Sequence, residues 1–276
     1  MSYIAPSLPL ETYGEANVRL GRLEAEHGVT IVFAIESGSR AWGFPSPDSD
    51  NDVRFVYHRP LHDYLGLDAP RDTIDPPIDG LWDINGWDIK KAIALLVKGN
   101  ATITEWLNSP LIYRETGPVP SRLRDLVKRH ATPASSARHY MGLTRTCYQQ
   151  DIVGSPRETA FGVEDRQVNQ KKYLYALRGS VAIAWIERYN EVPPMTMPAL
   201  LSAEAVPYGL REEIVAITNR KATMGEFMTG PRVPAFDDFI EGRMEWVKAQ
   251  GFDKIEPSAA FRAEANELLL TSLGVR

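Results

Sequence analysis

The segment from Gly38 to Arg59 has the sequence GSRAWGFPSPDSDNDVRFVYHR. It begins with a glycine–serine pair and continues with aspartates at alternate positions, Asp48, Asp50 and Asp52, directly before an apolar run. Because strands disfavour aspartate, strand formation alone does not explain these acids. The pattern indicates a strand whose first residues carry carboxylates for a chemical purpose. The alternative is an acidic strand start that is merely exposed to water.

The alternation of side chains along a strand predicts which residues share a face. Asp50, Asp52 and Arg54 are expected on one face. The apolar residues between them are expected in the core on the opposite face: Val53, Phe55 and Tyr57. Two carboxylates a few ångströms apart repel each other unless a positive group lies between them. Mg²⁺ binds carboxylate oxygens together with substrate phosphates, so a metal site would explain the pair.

Residues 81–85, LWDIN, predict a neighbouring strand that supplies a third carboxylate. Asp83 lies on the polar face of this strand and is favoured for metal binding or for activating a nucleophile. Asp88 is the alternative third carboxylate. It directly precedes the helical pattern IKKAIALLV, however, and is placed to cap that helix, which is a structural role.

Gly38 and Ser39 follow the β-branched run VTIVFAIE, at the point where a strand is expected to end and a turn to begin. Backbone N–H groups and a small hydroxyl at such a turn can bind a phosphate. Glycine also permits close approach of the backbone. The pair therefore predicts a phosphate-binding turn beside the acidic strand.

The chain has 276 residues, of which 43% are hydrophobic and 24% charged, as is typical of a soluble globular protein. Strand patterns dominate the first part of the chain and helical periodicity the rest. We therefore predict an α+β protein with an N-terminal domain built on a small mixed sheet and a helical C-terminal domain. The predicted domains are residues 1–118 and 119–276.

The net charge of −5 does not indicate a simple polyanion-binding protein, but the charge is unevenly distributed. Residues 1–120 carry 10 basic and 17 acidic side chains, a net charge of −7, and residues 191–276 carry 9 and 13, a net charge of −4. Residues 121–190 carry 12 and 6, a net charge of +6. This middle block suggests a phosphate-rich partner.

Cys147 is the only cysteine, so a disulfide within one chain is excluded. The first 20 residues lack the basic start and apolar core of a signal peptide. No run reaches the roughly 18–20 apolar residues that span a membrane. We expect a cytoplasmic protein that does not bind membranes.

The motifs ESGSRAWGF and SDNDVR together resemble the Gly-Ser … Asp-x-Asp signature of the DNA polymerase beta superfamily of nucleotidyltransferases. More narrowly, the chain resembles the RNA-ligase-associated, RNA-repair group of polymerase-beta-like proteins. Two further blocks carry this resemblance: GWDIKKAIALLVKGNATITEWLNSP at residues 86–110, and the segment from Lys171 to Met195. The resemblance covers roughly residues 30–200, and the combination of motifs is specific.

The resemblance implies roles for individual residues. Gly38 and Ser39 would bind the β- and γ-phosphates of a nucleoside triphosphate. Asp50 and Asp52 would hold two Mg²⁺ ions. Asp83 would complete the catalytic metal site and help to activate the attacking hydroxyl.

Four basic residues are further candidates for nucleotide binding. Arg54 is expected as a phosphate or carboxylate partner, with a structural ion pair to the aspartates as the alternative. Lys171 and Arg178 lie two helical turns apart on one predicted helix face. Together with Lys172 they are candidate triphosphate or nucleic-acid contacts.

The resemblance implies an enzyme that transfers a nucleoside monophosphate from ATP or another nucleoside triphosphate to an acceptor hydroxyl. The implied acceptor is an RNA end in RNA repair, and an RNA ligase is a candidate partner. Two alternatives stay open. One is transfer to a protein or small-molecule hydroxyl, and the other is a non-catalytic module that binds the triphosphate, such as an antitoxin-like protein.

Overall fold

The computed structural model describes residues 7–153, 167–202, 204–225, 228–252 and 256–275. The described residues form two compact units. The first unit comprises the described parts of 1–42, 50–131 and 256–276, and the second those of 43–49 and 132–255. The predicted division at residue 118 differs from this one, because the structure assigns residues 119–131 and the last described helix to the first unit.

The described chain contains helices α1–α12, strands β1–β7 and one π-helical segment, Cys147–Val153. The strands are β1 (Thr30–Glu36), β2 (Asn51–His58), β3 (Thr73–Ile74), β4 (Trp82–Asp88), β5 (Ile112–Glu115), β6 (Gln167–Asn169) and β7 (Thr229–Pro231). The helices are α1 (Leu10–His27), α2 (Gly38–Trp42), α3 (Leu61–Tyr64), α4 (Ile89–Val97), α5 (Ala101–Leu107), α6 (Val119–His130), α7 (Pro133–Thr146), α8 (Gln170–Tyr189), α9 (Met197–Leu201), α10 (Tyr208–Met224), α11 (Pro234–Gln250) and α12 (Ala259–Ser272).

The first unit is built on a five-stranded sheet with the strand order β3-β4-β2-β1-β5. β2 and β4 pair in parallel, whereas the other neighbouring strands pair antiparallel. In the second unit β6 and β7 form a two-stranded antiparallel sheet among helices. The protein therefore belongs to the α+β class, as the sequence predicted.

One face of the five-stranded sheet packs against α1. The alternate residues Val53, Phe55 and Tyr57 of β2 are fully buried there, in a cluster that includes Leu20 of α1. This arrangement confirms the predicted alternation of β2. Since burying a large apolar side chain contributes roughly 1.5–3 kcal/mol, the alternation orients the polar positions of β2 toward the opposite face.

The opposite face of the sheet packs against α4, α5, α6 and α12. Val56 of β2 lies in this cluster together with Leu123 of α6 and Phe261 of α12. Because α6 and α12 bury apolar side chains against the sheet, these two helices belong to the first unit although both lie beyond residue 118. None of the helices in the described ranges has the length and apolar character needed to cross a bilayer.

The second unit includes the short segment 43–49, which α10 holds through a buried lysine. Lys221 of α10 is completely buried, and its Nζ donates hydrogen bonds to the Phe44 carbonyl and to Ser46 Oγ, each at 3.1 Å. Ser46 Oγ lies 2.9 Å from Ser49 Oγ. Residues that are far apart in sequence thus form one buried polar network.

Replacing Lys221 with Ala should lower the free energy of unfolding of the second unit by about 3 kcal/mol, because it creates a cavity and leaves buried acceptors without their donor. Denaturant unfolding measures this change. The matched variant Lys248→Ala removes an exposed lysine of α11 and should change stability by less than about 0.5 kcal/mol. Equal stabilities of the two variants would contradict the structural role of Lys221.

Candidate functional site

The parallel pairing of β2 and β4 brings two of the predicted carboxylates together. Asp52 is the direct register partner of Asp83, and both precede buried residues on their strands. Arg54, two residues after Asp52 on the same face, donates from Nη2 to Asp52 Oδ1 at 3.0 Å and to Asp83 Oδ2 at 2.7 Å. The two acids therefore meet around one cationic group at the end of the sheet.

Asp50 lies directly before β2, which begins at Asn51. Its main-chain carbonyl accepts a hydrogen bond from Arg40 Nε at 3.0 Å. Its carboxylate is close enough to act electrostatically on Asp52. The predicted face of β2 thus contains Asp52 and Arg54, with Asp50 at its edge.

Electrostatics in this cluster disfavour the ionised form of Asp52. The pKa of Asp52 is raised to about 6. Burial is the main cause and the charges of Asp83 and Asp50 act in the same direction, whereas the Arg54 guanidinium acts in the opposite direction. Burial therefore outweighs the ion pair, although 23% of the Asp52 side chain is exposed. Carboxylates held together under such repulsion are characteristic of sites that accept additional positive charge.

Gly38 lies where the carboxylate of Asp52 approaches the main chain. Its φ of 60° is left-handed, and a Cβ at this position would lie 1.8 Å from Asp52 Oδ2. Ser39 follows in the short helix α2 and is 3% exposed. The N–H of Ser37 donates to the Asp52 carbonyl at 2.8 Å, which holds the two segments together. The structure thus places Gly38 of the glycine–serine pair directly beside Asp52, and the phosphate-binding role of the pair stays a prediction.

Glu36, the last residue of β1, is a site residue that the sequence analysis missed. It is completely buried, and its Oε1 accepts the N–H of Asp52 at 3.0 Å while its Oε2 accepts the Tyr113 hydroxyl at 2.6 Å. Burial raises the pKa of Glu36 to about 7, although both hydrogen bonds act in the opposite direction. The signal that could have found it is a glutamate at the end of the apolar run VTIVFAI.

Asp88 has the geometry of a helix cap. One carboxylate oxygen accepts the N–H of Lys90 at 2.8 Å, and the other accepts the Tyr64 hydroxyl at 2.7 Å. It is the last residue of β4, five residues beyond Asp83 and thus roughly 16 Å away along the strand. This position confirms the predicted cap and argues against Asp88 as the third carboxylate.

Replacing Asp88 with Ala should lower the free energy of unfolding by about 1–2 kcal/mol, because α4 loses its N-cap and Tyr64 loses its acceptor. Denaturant unfolding followed by circular dichroism measures the change. The control variant Asp68→Ala removes an exposed carboxylate and should alter stability by less than about 0.5 kcal/mol. An Asp88 variant as stable as this control would be inconsistent with a cap.

The donor set at the end of the sheet has the chemistry that Mg²⁺ prefers, which is hard carboxylate oxygen. Across the parts of the chain that the structure describes, no group of three or more His, Cys, Asp or Glu side chains is arranged as a metal site. Asp52 and Asp83 nevertheless converge within 3.0 Å of one shared cationic nitrogen. The pair therefore fits a divalent cation by charge and donor type.

The three basic candidates of the helical part lie in α8, in the second unit. Arg178 is 1% exposed and donates from Nε and Nη2 to the carbonyl of Met195 at 3.2 and 2.9 Å. This burial favours a structural role over the predicted nucleotide contact. Lys172 forms an ion pair of 3.6 Å with Asp151. Lys171 and Lys172 are partly exposed, and their nucleotide-binding role stays a prediction.

Comparison with known proteins identifies the family of the chain. A family described as RlaP, the RNA repair pathway DNA polymerase beta family, matches residues 14–271. The chain is 34% identical over 254 residues to the uncharacterized protein YcgL of Bacillus subtilis (strain 168). The aligned region covers 92% of this chain and 94% of that protein. The range matched by the family spans parts of both compact units. The chain belongs to the RNA repair pathway DNA polymerase beta family.

Proposed function

We propose that this protein is a Mg²⁺-dependent nucleotidyltransferase that transfers a nucleoside monophosphate from a nucleoside triphosphate to an acceptor hydroxyl. The observation that carries the proposal is the register pairing of Asp52 with Asp83 beside the close approach of Gly38 to Asp52. A partly buried pair of repelling acids is unfavourable for stability alone. It is explained if the pair acts on a cation and a phosphate.

Asp50, Asp52 and Asp83 are the residues that would hold two Mg²⁺ ions. When bound, Mg²⁺ neutralises charge on the phosphates and lowers the pKa of the attacking hydroxyl. Gly38 and Ser39 would contact the β- and γ-phosphates. Since Gly38 has no Cβ, its main chain can come close to both the Asp52 carboxylate and a phosphate.

Arg54 has two roles in this proposal. Its Nη2 holds Asp52 and Asp83 in a fixed relative position, and its Nη1 donates to the main-chain carbonyl of Asp83 at 2.8 Å. The planar guanidinium suits such multiple contacts better than a lysine would. Its charge also favours the ionised form of Asp52 and so acts against the effect of burial on the pKa of that carboxyl.

An RNA end is the proposed acceptor, and ATP is among the proposed nucleotide substrates. The description of the family as an RNA repair pathway family supports an RNA acceptor. The net charge of +6 over residues 121–190 is also compatible with a phosphate-rich partner. Lys171 and Lys172 are the proposed contacts in this block. An RNA ligase is the proposed partner for joining the modified end.

Incubation with each α-labelled nucleoside triphosphate and Mg²⁺ tests the proposal, using separate pools of RNA, protein and small metabolites as acceptors. We expect labelled RNA and stoichiometric pyrophosphate release, both abolished by chelating Mg²⁺. Label in the protein or metabolite pool would reject RNA as the acceptor while keeping the transferase. Triphosphate binding without pyrophosphate release in every pool would reject the transferase and favour a binding module.

A further inference from the structure

Glu36 connects three parts of the first unit. Its Oε1 accepts the Asp52 N–H of β2, and its Oε2 accepts the hydroxyl of Tyr113 of β5. Its main-chain carbonyl accepts Ser109 Oγ at 2.6 Å, and its N–H donates to the carbonyl of Leu111 at 2.9 Å. All four polar groups of this buried residue are therefore engaged.

A buried carboxylate is an unfavourable means of joining strands, because desolvation penalises its charge. An apolar residue would serve the surrounding core at least as well: Ile35 and Ala34 in the same strand are completely buried. What an apolar residue cannot do is accept the N–H of Asp52. This hydrogen bond fixes the peptide group that contains the N–H of Asp52, the proposed metal ligand.

We infer that Glu36 is a positioning residue of the candidate site: its carboxylate fixes the Asp52 peptide, and thereby the direction in which the Asp52 side chain points toward Asp83. Tyr113 in turn fixes Glu36. The inference deepens the proposed function and rests on it for the identity of Asp52 as a metal ligand. Residues that hydrogen-bond to metal-binding groups in this way orient those groups toward the metal.

Three substitutions of Glu36 separate this role from simple packing. Glu36→Gln keeps an acceptor for the Asp52 N–H, and its amide can donate to the Tyr113 hydroxyl. Glu36→Met has similar length and no acceptor. Glu36→Asp keeps the charge but is too short to reach both partners. Tyr113→Phe leaves the carboxylate in place and removes only its anchor.

Two measurements test the inference without depending on enzymatic turnover. Hydrogen exchange at the Asp52 amide reports the hydrogen bond to Glu36, and titration with Mn²⁺, detected by paramagnetic resonance, reports the metal site. For Glu36→Met we expect faster exchange and an Mn²⁺ affinity about 10- to 100-fold weaker. For Glu36→Gln we expect an affinity within about 3-fold of wild type, because the acceptor is retained. In transfer assays the Met variant should lose kcat with little change in KM for the triphosphate.

Wild-type Mn²⁺ affinity in the Met variant would overturn the inference, as would an equal loss in the Gln and Met variants. If the Met variant does not fold, Glu36→Asp replaces it, with the same expected rise in Asp52 amide exchange and loss of Mn²⁺ affinity. An exchange rate and an Mn²⁺ affinity equal to those of the wild type would then overturn the inference. Tyr113→Phe should weaken Mn²⁺ binding less than Glu36→Met does, and the reverse order would also contradict it. A wild-type protein that binds Mn²⁺ at this site yet transfers no nucleotide would reject the proposed function while leaving the positioning role standing.

Discussion

Replacing Asp52 with Asn is expected to reduce nucleotidyl transfer about 1,000-fold or more, because an amide keeps the shape of the side chain but cannot supply the negative charge that a bound cation requires. The rate of pyrophosphate release at saturating triphosphate measures the loss. Asp50→Asn should act in the same direction, since Asp50 is a proposed ligand of the same ions. Transfer retained in either variant would disprove the corresponding metal assignment.

The Asp52 variant should keep its fold. Arg54 retains its 2.7 Å ion pair with Asp83. Because burial raises the pKa of Asp52 to about 6, the ionised side chain is unfavourable to the folded state at neutral pH, and the Asn variant should melt at or above the wild-type temperature. A large fall in melting temperature would show that Asp52 supports the fold itself. Asp68→Asn, a change in an exposed loop, is the matched control for both measurements.

Replacing Gly38 with Ala is also expected to reduce transfer strongly, through displacement of Asp52 rather than loss of a functional group. The added Cβ would lie 1.8 Å from Asp52 Oδ2, a distance that forces either the carboxylate or the main chain to move. We expect a fall in kcat of about 100-fold or more, on the scale seen when catalytic groups move by an ångström.

Gly80→Ala provides a matched control for this change. Gly80 has nearly the same φ, 61°, but a Cβ there meets no atom within 4 Å. Both variants carry the penalty of a left-handed non-glycine residue, roughly 1–2 kcal/mol, so their difference isolates the contact with Asp52. If both variants lose the same stability and both retain transfer, the close approach of Gly38 to Asp52 has no role in the site.

The part of the site that could be predicted from the sequence is encoded by local patterns. The period of two in β2 separates Val53 and Phe55 from Asp52 and Arg54, and the structure shows the expected faces. Asp88 caps α4 because the cap depends on the residues that follow it directly. Such features depend on neighbours within a few residues, which the sequence displays.

Other features depend on partners that the sequence does not reveal. The predicted domain boundary misses the return of α12 to the first unit, because only packing shows that Phe261 and Leu123 share a core. Strand β5 has four residues and lacks a strong pattern of its own. Arg178 resembles a candidate ligand contact in sequence, yet it is buried against the carbonyl of Met195.

The local sequence determines which residue types form the candidate site and in what order they occur along the chain. It also determines which side chains of the central strand share a face, because side-chain periodicity and helix capping are short-range effects. The meeting of Asp52 with Asp83 across 31 residues required the parallel register of two strands. The support of Asp52 by Glu36 and Tyr113 required a third strand. Such contacts arise only when distant segments are packed into one core, since burial and long-range hydrogen bonding determine which polar groups become neighbours.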